Sequence, residues 1–281
     1  MAIITISRGT FSGGQELAKC VAERLGYRTI SREVLVEAAR EYGVPVETLS
    51  RALSDRPGVL ERLTSERRRY LACIRAALVR EARDDGLVYH GHAGHLLLRD
   101  VPHVLTVRVI ASMDFRVRAL SEHHNLSRER AIQYIQKMDE ERARWTRFLY
   151  HVDWRDPRLY DVVVNLDNAG RDGACDIVCY VANGERFKAT PQWQKTMDDL
   201  VLSSHLTAIV ANNRSISGKV EIAADQGVVT LMGTVESLVD ADRVRVVVRN
   251  VPGVEEVKSR MHVRLAGVPI VSDSQNLVSK Y

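Results

Sequence analysis

Three glycines, Gly9, Gly13 and Gly14, stand between a short β-branched run, Ala2–Ile6, and an apolar repeat at helical spacing, Leu17, Ala18, Val21, Ala22 and Leu25. A glycine-rich turn joining a strand to a helix can aim several backbone N–H groups at one anion, and the helix dipole adds positive charge at the same point. The segment runs from Gly9 through Thr10, Phe11, Ser12, Gly13, Gly14 and Gln15 to Glu16. Gly9 and Gly14 have the separation of the framing glycines of a phosphate loop, but that motif continues with Lys and then Ser or Thr. There the lysine lies against the terminal phosphates and the hydroxyl ligates magnesium. Gln15 can donate hydrogen bonds without charge, and Glu16 can hold magnesium only if its carboxylate faces the site. Arg8, immediately before the turn, is the nearest replacement cation. Read alone, the turn leaves two options open: a phosphate cradle, or a plain glycine turn before a helix.

Other groups could carry chemistry. His90, His92 and His95 form a local cluster in which two imidazoles share one face of a strand end. Such spacing can hold a transition metal, but no carboxylate follows at a ligand spacing, so no metal site is assigned. His92 is instead expected to line the crevice that the strand end feeds. The basic cluster Arg67–Arg69 reads as a solvated helix face. The cysteines Cys20, Cys73, Cys175 and Cys179 sit in apolar contexts. Cys175 and Cys179 have helical spacing that a metal pair could use, but buried free thiols in a reducing cytoplasm are the expected state.

The elements that must position these groups alternate. Strands are expected at Ala2–Ile6, Tyr27–Ile30, Gly86–His90, Val104–Ile110 and Tyr160–Leu166, the fourth a buried strand of largely apolar character. Helices are expected after the glycine turn, from a Ser31 cap to Tyr42, through Pro45–Asp85, at Ser112–His124, at Ser127–Phe148 and at Gly173–Asn183. Strands alternating with helices imply a doubly wound parallel sheet with helices on both faces. Residues 184–197 read as a linker. An α-β-β-α-β unit follows, with a tight turn at Asp225-Gln226-Gly227, and residues 266–281 form a tail.

The chain has 281 residues and a formal net charge of +4, which suits two soluble domains of unequal size. That charge falls short of the concentrated basic stripe of a nucleic-acid binder, so no stable nucleic-acid binding is expected. No apolar run is long enough to span a bilayer. The N-terminus reads as a first strand and not as a signal peptide, and a cytoplasmic location is expected.

Several quoted segments together resemble the cytidylate-kinase-like family over residues 1–183. They are Ile4–Arg8, Ser12–Gly14, Ser31–Val34, Gly91 with Gly94, Val104–Val107, Arg116, Asp139–Arg142, Asp153-Trp154, Asp156-Pro157, Tyr160-Asp161 and Asn165. The resemblance implies a P-loop nucleoside-monophosphate-kinase-like α/β fold, ATP binding, Mg2+ if active, and transfer of a phosphoryl group to CMP or a related monophosphate. It places an arginine-bearing lid near Asp139–Arg147, with Arg142 and Arg147 reaching the transferring group and Arg116 facing the crevice. Nucleotide contacts are expected from Arg8, Gly9, Ser12, Gly13, Gly14, Gln15, Glu16, Arg32 and His92. Two positions depart from the family pattern besides the loop: Ser31 stands where an aspartate is usual, and His92 where an arginine is usual.

Residues 198–265 resemble a BON domain, a small α+β module, on Gly227–Val235 and Val251–Val257. That resemblance implies contact with phospholipid surfaces, small molecules or proteins, without catalysis. Arg243, Arg245, Arg249, Lys258 and Arg260 could make a basic face there, or a solvated one. The sequence thus supports two readings: a kinase-like transferase with a degenerate phosphate loop, or a weak or inactive nucleotide sensor signalling through the BON-like domain.

Overall fold

The structure, a computed structural model, describes residues 1–54, 62–91, 93–101 and 103–264. His92 and the 266–281 tail therefore lie outside the described residues.

The first region runs β1 (Ile3–Arg8), α1 (Gly14–Leu25), β2 (Arg28–Ile30), α2 (Glu33–Tyr42), α3 (Val46–Ser54), α4 (Arg62–Ala82), β3 (Leu87–His90), α5 (Gly94–Leu97), β4 (Val104–Ile110), α6 (Met113–His123), α7 (Arg128–Tyr150), β5 (Val162–Asn165) and α8 (Leu166–Ala182). The strands pair in the order β2-β3-β1-β4-β5, every pair parallel. Helices cover both faces, so the central strands are buried on both sides and read as near-continuous apolar runs. Ile3 and Leu87 enter the core under α2 and α4, while Ile4 and Val88 enter the core under α1 and α8. β1 lies between β3 and β4, so its C-terminal end opens where the chain departs to either side of the sheet, the usual place for a ligand crevice.

Several local expectations shift. Ser31 does not cap α2: Arg32 occupies the cap position, and the Ser31 N–H donates to Glu33 Oε2 at 2.7 Å. Of the helical stretch expected over residues 45–85, α3 and α4 are helical, and residues 55–61 between them lie outside the described residues. α8 starts at Leu166, not Gly173, because the Asn165 side chain accepts from Asp167 N at 3.0 Å. It is interrupted at Gly170, whose φ is 64°. Cys20 and Cys175, expected as free thiols, form a disulfide, with Cα atoms 6.2 Å apart. They meet because α1 and α8 pack on the same face of the sheet, a pairing that the local spacing of Cys175 and Cys179 does not encode.

The second region comprises α9 (Pro191–Asn212), β6 (Gly218–Asp225), β7 (Val228–Val235), α10 (Leu238–Arg249) and β8 (Glu256–Val263). β6 pairs antiparallel with β7, and β7 parallel with β8. The tight turn falls on Gln226 and Gly227, with φ of 48° and 81°, as a two-residue hairpin requires. α9 begins at Pro191 under a Thr190 cap, inside the stretch expected as linker. It serves two cores. Met197 and Ala208 pack into the core that includes α2 and α4, whereas Leu206 and Val210 pack against β7 and α10. Tyr42 Oη lies 2.9 Å from His205 Nδ1, and Asn212 Nδ2 donates to the Tyr42 carbonyl at 2.8 Å, tying the end of α2 to α9. Among the described residues, no helix is long and apolar enough to cross a membrane.

Candidate nucleotide site

The turn after β1 owes its shape to its glycines. Gly13 has φ of 77°, and a Cβ there would lie 2.5 Å from Leu166 Cδ1. Gly14 opens α1, and a Cβ on it would lie 2.5 Å from Arg8 Cδ. Arg8 can therefore lie along the turn only because Gly14 has no side chain. Ser12 Oγ donates to the Gly9 carbonyl at 3.0 Å and closes the turn from inside. Gln15 and Glu16 are exposed at the start of α1.

Four arginines converge here. Arg8 Nε is buried and has no hydrogen-bond partner among the described residues, and burial lowers the pKa of its guanidinium. Arg142 on α7 donates to the Arg8 carbonyl at 2.9 Å, and its guanidinium stands 5.1 Å over the Trp154 ring. Burial lowers its pKa to about 10, against the opposing pull of Asp139. Arg116 on α6 donates from Nε to the Thr10 carbonyl at 2.7 Å and pairs with Asp139 at 2.5 Å. Arg108 on β4 lies 4.8 Å over Trp154 and donates to its carbonyl at 3.2 Å; its Nε is also buried without a partner among the described residues. A cation with an unmet donor in a dry site is a ready partner for an anion.

Asp139 organises the closure. It accepts from Thr10 N at 3.0 Å and Thr10 Oγ1 at 2.9 Å, while also pairing with Arg116 and Arg142. One carboxylate on α7 thus engages a turn amide and two arginines, the same donor types that a phosphate would recruit. This contact draws α7 down over the turn.

A cavity of about 230 Å³ opens beside this cluster, with Arg8, Ser31, Arg32, Tyr89, Gly91 and Arg142 among its lining residues. That is smaller than most ligand pockets, consistent with α7 packed onto the turn. The structure thus brings together Arg8, Gly9, Ser12, Gly13, Gly14, Arg116 and Arg142, with Arg32 across the cavity. Arg147 points elsewhere: it is exposed and pairs with Asp153 at 2.8 Å, beyond the cavity. His95 lies behind the site, buried, with Nε2 3.3 Å from Tyr160 Oη, and desolvation lowers its pKa to about 4. His90 is likewise shifted down by burial and by Arg8. Among the described residues, no group of three His, Cys, Asp or Glu side chains is disposed to hold a metal.

Sequence reasoning missed Arg108 and the bridging role of Asp139. Arg108 carried a signal: it is a charged residue inside the apolar strand Val104–Ile110, in register with Ser7. Asp139 carried none beyond its place in the motif Asp139–Arg142, since its partner Thr10 is 129 positions away.

A profile of the cytidylate kinase-like family matches residues 3–168, and a BON domain profile matches residues 198–264. Cytidylate kinase of Natronomonas pharaonis is 29% identical over 178 residues, covering 63% of this chain and 86% of that protein. Cytidylate kinase of Sulfurisphaera tokodaii is 25% identical over 177 residues, covering 63% of this chain and 92% of that protein. Among solved structures, an uncharacterized protein from Eubacterium ventriosum is similar, with 20% identity and a TM-score of 0.49, covering 66% of this chain and 100% of that one. The five-stranded parallel sheet, the glycine turn at its centre and the family match agree: the chain belongs to the cytidylate kinase-like family and carries a BON domain behind it.

Proposed function

We propose that the Gly9–Glu16 turn binds nucleotide phosphates, and that the protein transfers the γ-phosphoryl group of ATP to CMP or a related monophosphate. The observation that carries this reading is the convergence of Arg8, Arg116 and Arg142 on one glycine turn, with Arg108 sharing the Trp154 ring with Arg142. Phosphoryl transfer spreads charge over equatorial oxygens, so catalysis rests on positioned cations more than on covalent chemistry by the protein. Gln15 supplies no charge, and Arg8 is the side chain suited to replace the missing lysine. Its buried, unpartnered Nε and the Gly14 cradle that admits it fit a phosphate ligand. Arg142 and Arg116 would hold the phosphates, Arg32 and Ser31 would face the acceptor, and Glu16 is the carboxylate suited to share Mg2+ with them. Mg2+, when bound, would neutralise charge on the transferring oxygens. A phosphate at the Thr10 amide would take the place that the Asp139 carboxylate holds in this structure. Use of ATP suits a cytoplasmic location; the Cys20–Cys175 disulfide is the feature that departs from it, since such bonds are rare in that compartment.

A second reading is favoured by α9. Because this helix is shared by two cores, a change at α2 beside the acceptor cavity can reach the BON domain through Tyr42, His205 and Asn212. A nucleotide sensor would use that route without turnover. The test is a coupled phosphotransfer assay with ATP, Mg2+ and a panel of nucleoside monophosphates, run beside thermal shifts with the same ligands. Turnover that Arg142→Ala reduces by a factor of about 100 or more supports the enzyme. Ligand-dependent stabilisation without turnover supports the sensor. The absence of both effects removes both readings.

A further inference from the structure

A groove of about 560 Å³ lies where α4 meets the end of α9 and the start of β6. Its volume is in the range of small-molecule sites. Four cations line it, Arg68, Arg69, Arg214 and Lys219, against two carboxylates, Glu66 and Glu236. Glu236 is already held by Arg264 at 2.9 Å, and Lys219 pairs with Glu221 at 2.8 Å. Arg68 and Arg214 make no ion pair among the described residues. Further along the same helix, Arg75 pairs with Asp100 at 2.6 Å and Arg80 with Glu37 at 2.7 Å.

The cluster corrects the reading of Arg67–Arg69 as one solvated face. Arg67 is buried and donates to the Ala52 carbonyl at 2.9 Å. Arg69 is half-buried and held in place: its Nη2 donates to Tyr70 Oη at 2.7 Å, and its guanidinium carbon stands 4.6 Å over that ring. Its Nε is buried with no hydrogen-bond partner among the described residues. A fixed guanidinium with an unmet donor and two unpaired arginines nearby lowers the entropic cost of binding an anion, because the fork is already oriented. Ala72, Ile216 and Val220 give the groove an apolar side that a bare ion would not need.

We propose that this groove is a binding site for a soluble phosphate-bearing small molecule, gripped by Arg68 and Arg69 from the kinase-like domain and by Arg214 from the BON side. The site is separate from the glycine turn and does not depend on the function proposed for it. A ligand there contacts both sides of the α4–α9 junction and stabilises their packing.

The test titrates sodium tripolyphosphate by calorimetry into the full chain carrying Arg142→Ala, which weakens the turn's own hold on anions. The expected result is a binding component that weakens at least ten-fold when Arg68→Glu and Arg214→Glu are added. Arg249→Glu with Arg260→Glu makes the same charge change on exposed positions elsewhere and should leave that component in place. An unchanged titration in the groove variant overturns the proposal, as does an equal loss in the control, which would mark net charge as the cause. A parallel arm uses phosphatidylglycerol vesicles. Groove-dependent binding to vesicles without binding of tripolyphosphate would assign the arginines to a lipid headgroup and overturn the soluble ligand.

Discussion

The two sheets of this chain treat arginine in opposite ways. In the five-stranded sheet, Arg8 and Arg108 sit on central strands, packed under α7 and the Trp154 loop, each with a buried Nε that meets no partner among the described residues. In the three-stranded sheet, Lys258 and Arg260 point from β8 into solvent, alternating with the half-buried Val257 and Met261. The second arrangement is the ordinary outcome for a sheet with one wet face, where charge costs nothing. The first costs stability, because a buried cation loses hydration and is repaid only by a partner. Burial of charge thus separates the crevice of the kinase-like domain from the BON sheet, and on the function proposed above a nucleotide phosphate would supply the missing partner.

The sharpest way to break that contrast is Arg8→Met, which keeps the stem and removes the charge. Nucleotide affinity should fall on the order of 100-fold, while the unliganded protein melts at the same temperature or higher. Calorimetric binding and thermal melts check both halves. A lower melting temperature with nucleotide binding intact would make Arg8 a structural residue and end the comparison. Leu206→Ala addresses the other side. It opens a cavity where α9 meets β7 and α10, and should cost about 3 kcal/mol of BON-domain stability. Denaturant melts should then show that domain unfolding before the kinase-like one. A single cooperative transition would instead show that α9 welds the two cores into one unit.

His95 gives a pH signature. Burial holds its folded-state pKa near 4, below the ordinary 6.5. Between those values the unfolded chain binds the proton and the folded one does not, so its contribution is complete above pH 6.5 and is lost as pH falls toward 4. The slope reaches about 1.4 kcal/mol per pH unit at most. Urea melts at pH 7.5, 6 and 5 should show this decline, and His95→Gln should flatten it; an unaltered slope would remove His95 from the account. The smallest effect belongs to Arg260→Ala on the exposed face of β8, which should move stability by about 0.5 kcal/mol or less. A loss of several kcal/mol there would mean that the BON sheet also relies on its charges.

Much of the architecture was legible before the structure. The glycine turn declared itself because a left-handed residue and a tight strand-to-helix junction are local demands that only certain residue types meet. Gln226-Gly227 was legible for the same reason. β4 was legible as a strand because burial on both faces demands a continuous apolar run, and that very run hid Arg108, which reads as an interruption until Trp154 is seen beneath it. Ser31 shows the limit of local rules: a good capping residue was present, but Glu33 reached back to its N–H and the helix began later.

What the sequence determined by itself was therefore the order of elements, the phosphate-type turn with its missing cation, and the family. Each of these depends on neighbours within a few positions or on motifs read in order. The tertiary structure alone decided which groups meet. It set Asp139 against Thr10, joined Cys20 to Cys175, gave α9 to two cores, and turned Arg67, Arg68 and Arg69 to three different environments. These pairings span long stretches of chain and are selected by the packing of whole helices onto sheets, and no residue's own propensity carries that information.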